Sequence, residues 1–171
     1  MSMGSKATGA EFLVRKSDLA KTRQALPSYK DILIVDDENM DANRLVATMR
    51  TMFGYDLEVR RAKTLLSAVD MVLARTPDFI LLDDRLKPTD TALDSIPMIR
   101  RANYHGPIVV ISGDLTRDRC AMLMAHGATE TIHKDELNSV AIAAVLTRLA
   151  QPSTQPATQA AAAEPAKSSS Y

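Results

Sequence analysis

The sequence predicts an α/β fold in which a five-stranded parallel sheet is sandwiched by five helices. Two observations predict it. Between residues 31 and 150, strand-like segments alternate with segments of helical periodicity. The central strand-like segments, such as Ile32-Leu33-Ile34-Val35, are continuous apolar runs, which is typical of strands buried on both faces. Parallel strands need crossover connections, and right-handed crossovers place helices on both faces of the sheet.

The five strands are predicted from segment length and pattern. Three segments are apolar throughout, the second in chain order alternates as an edge strand does, and the fifth is short. In chain order the predicted strands are 32–35, 57–60, 79–82, 108–111 and about 131–132.

A helical segment follows each strand, and glycine or proline residues indicate where several of them end. The first has apolar residues at helical spacing and ends at Gly54, the second ends before Pro77, and the fourth ends at Gly127. The later helices are predicted at 65–75, 92–101, 117–126 and 136–149. The pattern alone does not fix the strand order. The common order for such a sheet is 2-1-3-4-5, which makes the expected fold flavodoxin-like.

The two ends of the chain differ from this body in composition. Residues 1–30 are predicted to be an extension that is disordered or partly helical, with weak helical spacing from about residue 17. Residues 151–171 are rich in Ala, Pro and Ser and bury too little apolar surface to fold, so we expect a disordered tail. The body, 31–150, is the predicted domain. A tail of this length cannot form an output module, so we expect the domain to act alone.

Charge and composition argue against several classes of function. Residues 31–150 hold 18 acidic and 14 basic residues, so the domain lacks the positive charge of a nucleic-acid-binding surface. No segment is long and apolar enough to span a membrane. The single cysteine, Cys120, excludes an internal disulfide and is typical of a reducing compartment. We therefore expect a cytoplasmic protein that binds neither nucleic acid nor membrane.

Polar residues follow the predicted strands at their carboxyl ends, where sheets of this kind bind ligands. Asp36-Asp37 follow the first strand, and Asp83-Asp84 follow the third. Ser112 follows the fourth strand, and Lys134 lies near the end of the fifth. Crowded carboxylates repel one another, so a cation is expected among them. Oxygen ligands favour Mg²⁺, and the lack of Cys or His at metal spacing disfavours zinc.

Such a group of residues is suited to phosphoryl transfer. A carboxylate beside Mg²⁺ and a lysine can attack a phosphoryl donor while the two cations neutralise the charge on the transferred oxygens. The Ser112 hydroxyl can then hydrogen-bond one of those oxygens. Each residue alone also has an ordinary interpretation, because Asp after a strand often caps a helix. Their occurrence at four strand ends favours a joint site.

Four motifs resemble the response-regulator receiver family of bacterial two-component systems. They occur in order and span nearly all of 31–150. The motifs are Asp31-Ile32-Leu33-Ile34-Val35-Asp36-Asp37-Glu38, Pro77-Asp78-Phe79-Ile80-Leu81-Leu82-Asp83, Pro107-Ile108-Val109-Val110-Ile111-Ser112-Gly113, and Gly127-Ala128 followed by Lys134. The resemblance implies a phosphoacceptor domain that uses Mg²⁺.

The resemblance also implies a role for each site residue. Asp83 is expected to be the phosphoacceptor, Ser112 the switch hydroxyl and Lys134 the lysine that pairs with the phosphoryl group. The implied Mg²⁺ ligands are Asp36, Asp37, Asp83 and the backbone carbonyl of Arg85. Asp84 is the rival acceptor. A shift of one residue turns a side chain to the other side of a strand, so the register favours Asp83.

Three positions depart from the pattern of the family. Thr131 replaces an aromatic residue that usually lies three positions before the lysine, so its hydroxyl either couples the site to its surroundings or belongs to an ordinary strand residue. Asp135 replaces the usual proline after Lys134. We expect this peptide bond to be trans, because a cis bond before a non-proline residue costs about 2.5–4 kcal/mol, and we expect Asp135 to cap the last helix. The loop 87–92 lacks the usual glycine and should differ locally.

The leading prediction is a stand-alone response regulator rather than an enzyme. It would take a phosphoryl group from a histidine kinase or a histidine phosphotransfer protein and signal through protein contacts. The resemblance also implies a homodimer through the fourth helix, fifth strand and fifth helix, where Met122 and Met124 would add apolar contacts unless one of them packs in the core. The alternative is a docking scaffold that works without phosphorylation. A phosphohydrolase is disfavoured because the paired aspartates are adjacent rather than spaced as Asp-x-Asp.

Overall fold

The computed structural model describes residue 26 and residues 28–150. The helix predicted from about residue 17 and the tail predicted at 151–171 lie outside the described residues. Near the start of the described chain, Tyr29 packs edge-to-face against Phe53 and Phe79, with ring centroids 5.8 and 4.8 Å apart. Within the described range, no helix combines the length and the apolar character needed to cross a membrane.

The predicted α/β architecture is confirmed. The described residues form seven strands: β1 (Asp31–Val35), β2 (Glu58–Ala62), β3 (Phe79–Asp83), β4 (Arg85–Leu86), β5 (Asp90–Thr91), β6 (Ile108–Ser112) and β7 (Glu130–His133). Five of them form a parallel sheet in the order β2-β1-β3-β6-β7, which is the predicted 2-1-3-4-5 order when only these strands are counted. The short strands β4 and β5 form a separate antiparallel hairpin directly after β3.

In the described part of the chain, five α-helices cover the two faces of this sheet. They are α1 (Asn39–Phe53), α2 (Leu65–Ala74), α3 (Ala92–Arg101), α4 (Arg117–Ala125) and α5 (Ser139–Ala150). Successive side chains of each strand point to opposite faces, so the sheet divides the interior into two apolar clusters. One cluster contains Leu33, Ile80 and Leu82 with residues of α2, α3 and α4. The other contains Ile32, Ile34 and Leu81 with residues of α1 and α5.

The second strand lies one or two residues later than predicted. It pairs with β1 along its whole length, from Asp31 opposite Glu58 to Val35 opposite Ala62. Arg60 and Arg61 interrupt the apolar pattern that we used to place the strand. The strand nevertheless includes both arginines, since it pairs with β1 through them. The Arg60 guanidinium supports this pairing, because it donates to both oxygens of Asp31 on β1, at 2.8 and 2.9 Å.

The prediction that Asp135 caps the last helix is wrong. Residues Lys134–Glu136 form a turn of 3₁₀ helix, and α5 begins only at Ser139. The side chain of Asn138 provides the cap, since its oxygen accepts from the backbone N–H groups of Val140 and Ala141 at 3.0 and 2.9 Å. The Lys134–Asp135 peptide bond is trans, as predicted, and within the described chain the only cis bond is Lys87–Pro88.

Candidate functional site

Three carboxylates meet where β1 and β3 end side by side. Val35 pairs with Leu82 in the sheet, so Asp36, which follows β1, and Asp83, the last residue of β3, lie next to each other. Oxygen atoms of Asp36, Asp37 and Asp83 all lie within 4.8 Å of one another. Asp36 and Asp83 are buried, with exposed fractions of 3% and 5%, and Asp37 is partly buried. The structure thus brings together the three acidic residues singled out in the sequence.

Lys134 reaches the same place from the end of β7. Its Nζ lies 3.2 Å from Asp83 Oδ2 and 3.5 Å from Asp41 Oδ2, so it bridges β3 and the first turn of α1. Because the sheet is parallel, the carboxyl ends of β1, β3 and β7 share one edge, and the lysine meets the carboxylates without any long loop.

The pocket holds more negative than positive charge, and the pKa values of its groups shift accordingly. Burial raises the pKa of Asp36 to about 6, and the Asp83 carboxylate adds to the shift. Burial also raises the pKa of Asp83, against the opposing influence of Lys134. Burial alone would lower the pKa of Lys134, but attraction to Asp83 and the neighbouring carboxylates raises it. Every shift favours an added positive charge.

The donor atoms of this pocket fit Mg²⁺. They are carboxylate oxygens, and no Cys or His joins the group among the described residues, which disfavours zinc. The exposed Lys87 places its ammonium 3.4 Å from Asp37 Oδ2, another sign that the pocket attracts positive charge. The backbone N–H of Arg85 lies near enough to Asp83 to oppose the rise in the pKa of its carboxyl. Coordination by the Arg85 carbonyl stays a prediction.

The pocket opens to solvent on two sides of Asp83. One cleft of about 400 Å³ lies between the end of β1 and the β4–β5 hairpin, and a second of about 330 Å³ lies toward Ser112. Asp83, Arg85 and Lys134 line both. A small phosphoryl donor therefore has room to reach Asp83, although its side chain is only 6% exposed.

The Ser112 hydroxyl does not face Asp83. It donates to Asp84 Oδ2 at 2.9 Å, and Asp84 is itself paired with Arg119 in the first turn of α4. The side-chain alternation of β3 explains this separation, because Asp84 continues the Ile80 and Leu82 side of the sheet, which α4 covers. Sequence reasoning missed Arg119. An arginine at the start of a helix on the side to which Asp84 points was the available indication.

Two further predictions concern α4 and β7. The Thr131 hydroxyl donates to Cys120 Sγ at 3.7 Å, so it contacts α4, and its coupling to the site stays a prediction. Met122 and Met124 are both about half exposed, at 47% and 48%, while Leu123 between them is fully buried. The alternative that one of the two methionines packs in the core is therefore wrong.

A parallel five-stranded sheet with acidic residues and a lysine gathered at its carboxyl edge is the arrangement of a two-component receiver domain. The chain belongs to the response regulator receiver domain family, whose model matches residues 32–146. Members of this family are signalling domains. A search of curated protein sequences found no significant match.

Solved structures of receiver domains have the same fold. The signal receiver domain of a DNA-binding response regulator from Colwellia psychrerythraea is 24% identical, with a TM-score of 0.62 over 70% of this chain and 97% of that one. The chemotaxis protein CheY4 of Vibrio cholerae is 21% identical, with a TM-score of 0.63 over 71% and 98%. A Burkholderia pseudomallei response regulator, solved with a phosphorylated aspartic acid, a calcium ion and citrate, is 24% identical, with a TM-score of 0.60 over 68% and 66%.

Proposed function

We propose that Asp83 accepts a phosphoryl group from a histidine kinase or a histidine phosphotransfer protein in a Mg²⁺-dependent transfer. The domain then passes the signal on through contacts with other proteins. One observation carries the proposal: three carboxylates lie within 4.8 Å of one another with a lysine 3.2 Å from Asp83, and Asp37, Asp83 and Lys134 line an open cleft. The Burkholderia protein, with a phosphorylated aspartic acid and a bound divalent ion on the same fold, supports it.

In the proposed reaction an oxygen of Asp83 forms a bond to phosphorus while the bond from phosphorus to the donor's histidine nitrogen breaks. The electron pair of that bond leaves with the histidine. Asp36, Asp37, Asp83 and the carbonyl of Arg85 would hold Mg²⁺. When bound, this ion supplies positive charge that offsets the charge on the phosphoryl oxygens.

The protein's own residues place and balance the reacting groups. The Glu38 N–H donates to Asp36 Oδ1 at 2.7 Å and fixes the orientation of this carboxylate. The Lys134 ammonium, which lies 3.2 Å from Asp83 Oδ2, would pair with a phosphoryl oxygen once Asp83 is modified. Ser112 has its hydroxyl at the edge of the second cleft, where it can turn to another phosphoryl oxygen.

The test is phosphorylation by acetyl phosphate and Mg²⁺, followed by intact-protein mass spectrometry. We expect a mass gain of one phosphoryl group in the wild type, which is lost with EDTA and lost in Asp83→Asn. Asp90→Asn is a matched control, because Asp90 is another carboxylate of the same cleft that is not among the proposed ligands. It should be labelled as the wild type is.

Three results would contradict the proposal. Labelling that persists in Asp83→Asn but disappears in Asp84→Asn would move the acceptor to Asp84. Labelling that is unaffected by EDTA would remove the role of the metal. A wild-type chain that stays unmodified with acetyl phosphate and with a panel of histidine kinases would favour a docking scaffold that works without phosphorylation.

The surface formed by α4, β7 and α5 is proposed as a homodimer face in the phosphorylated state. Met122 and Met124 support this, because their half-exposed side chains offer adaptable apolar contacts. Sedimentation of the protein labelled on Asp83 should reveal a dimer that Met122→Lys and Met124→Lys weaken. An unchanged monomer after complete labelling would refute this part of the proposal.

A further inference from the structure

The Ser112 hydroxyl carries a single proton, which it donates in a hydrogen bond to Asp84. The donated bond to Asp84 Oδ2 measures 2.9 Å, while the contact of the same hydroxyl with the Asp114 carbonyl is longer, at 3.4 Å. The Ser112 oxygen also accepts from the backbone N–H of Asp114 at 3.1 Å. A hydroxyl can donate only once, so Ser112 cannot hydrogen-bond a phosphoryl group on Asp83 without releasing Asp84.

Arg119 holds the Asp84 carboxylate in place. Its Nη2 lies 2.5 Å from Asp84 Oδ1 and its Nε lies 3.3 Å from Asp84 Oδ2. The Asp84 side chain is 4% exposed and that of Arg119 is 24% exposed, so the pair is largely shielded from water. Arg119 is also fixed at its backbone, because its N–H donates to the Thr116 hydroxyl that caps α4.

We infer that Asp84 is a positioning residue that holds the Ser112 hydroxyl away from Asp83. Arg119, the other side-chain donor to Asp84, keeps this carboxylate paired once Ser112 is released and links the release to the start of α4. This inference rests on the proposed function of Asp83. Phosphorylation would place acceptor oxygens beside Ser112, which then exchanges Asp84 for the phosphoryl group. Asp84 is left with Arg119 as its only side-chain donor among the described residues, and the change is transmitted to α4.

A second contact ties the next residue of α4 to the sheet. Cys120 accepts a hydrogen bond from Thr131 of β7, so two consecutive residues of α4 contact Asp84, which directly follows β3, and a residue within β7. Both contacts lie on the α4 side of the sheet. Thr131 pairs in the sheet with Val110, and Val110 lies two positions before Ser112 on β6. The start of α4 is thus held by Asp84, which binds the switch hydroxyl, and by Thr131 on the strand beside β6.

The test measures binding of beryllofluoride, in the presence of Mg²⁺, by titration calorimetry on four proteins: wild type, Asp84→Ala, Ser112→Ala and the double variant. In the wild type, the charge-assisted bond from the Ser112 hydroxyl to Asp84 competes with a bond from the same hydroxyl to beryllofluoride. Because Asp84→Ala removes this competing bond, the variant should bind beryllofluoride about tenfold more tightly. This gain acts through Ser112. It should therefore be absent when Asp84→Ala is made in the Ser112→Ala background.

Arg119 gives a test of opposite sign with a matched control. Arg119→Ala leaves Ser112 as the only side-chain donor to Asp84 among the described residues, which should weaken beryllofluoride binding. Arg117→Ala removes another arginine, exposed in the same turn, and should leave binding unchanged. If Asp84→Ala does not fold, Asp84→Asn, whose neutral amide is a weaker acceptor, replaces it in the same cycle with a smaller gain of about threefold expected.

The outcomes separate this inference from the proposed function. If the wild type binds beryllofluoride but the effects of Asp84→Ala and Ser112→Ala simply add, the inference is overturned and the proposed function stands. The same holds if Arg119→Ala and Arg117→Ala behave alike. If the wild type does not bind beryllofluoride with Mg²⁺, the proposed function fails and this inference fails with it.

Discussion

Replacing Asp36 by Asn should stabilise the metal-free domain near neutral pH, although Asp36 is a proposed metal ligand. The amide keeps an oxygen that can accept from the Glu38 N–H, as the carboxylate does at 2.7 Å. It removes a buried charge that faces Asp83. The substitution therefore separates the electrostatic cost of the acidic pocket from its hydrogen bonding.

The magnitude follows from the pKa of Asp36, which burial raises from 3.8 to about 6. The folded protein then holds the proton more tightly than the unfolded chain does. This contribution to stability is complete below about pH 4 and is lost as the pH rises through about 6. Each tenfold change in proton affinity is worth about 1.4 kcal/mol, so the full difference amounts to about 3 kcal/mol. Solvent at the edge of the pocket screens part of it, which leaves about 1–2 kcal/mol.

The assay is urea unfolding followed by far-ultraviolet circular dichroism, in EDTA and in Mg²⁺, over a series of pH values. In EDTA near neutral pH the free energy of unfolding of Asp36→Asn should exceed that of the wild type by about 1–2 kcal/mol, and the difference should vanish below about pH 4. Mg²⁺ should stabilise the wild type more than the variant, because a ligand stabilises the state that binds it.

Two results would refute this reasoning. One is a variant that is no more stable than the wild type in EDTA at neutral pH, which would mean that the charge of Asp36 is not costly in the folded protein. The other is a stability difference that persists unchanged below about pH 4, which would assign the effect to packing instead of ionisation.

Two further predictions concern the hairpin side of the pocket and the chain before β6. Lys87→Ala removes an ammonium 3.4 Å from Asp37, so Mg²⁺ should bind about two- to threefold more tightly at low salt and equally well at high salt, as calorimetry can measure. Gly106→Ala would place a Cβ atom only 2.6 and 2.9 Å from two ring carbons of the buried Tyr104, which is a steric clash, so thermal unfolding should show a loss of about 1–3 kcal/mol. Gly113→Ala has open space around the added carbon and serves as the control, and equal losses in both variants would contradict the steric explanation.

Much of the fold follows from local patterns. The apolar runs of β1, β3 and β6 are long enough to be strands and too apolar to lie on a surface. Where charges interrupt the pattern, local reasoning placed the element less well. Arg60 and Arg61 hid the bounds of β2, which are set by its pairing with β1. The turn at Lys134–Glu136 makes α5 begin later than the sequence pattern predicted.

The sequence by itself determined that Asp36, Asp37, Asp83 and Lys134 would meet. They follow parallel strands, and the carboxyl ends of parallel strands lie at one edge of the sheet whatever the details of packing. The tertiary structure decided which partner Asp84 would take. Alternation along β3 indicates the side to which Asp84 points. Its partner on that side is Arg119 of α4, which lies 35 positions further along the chain. Only the packing of that helix against the sheet selects Arg119, because hydrogen bonds over such sequence distances depend on the position of whole elements.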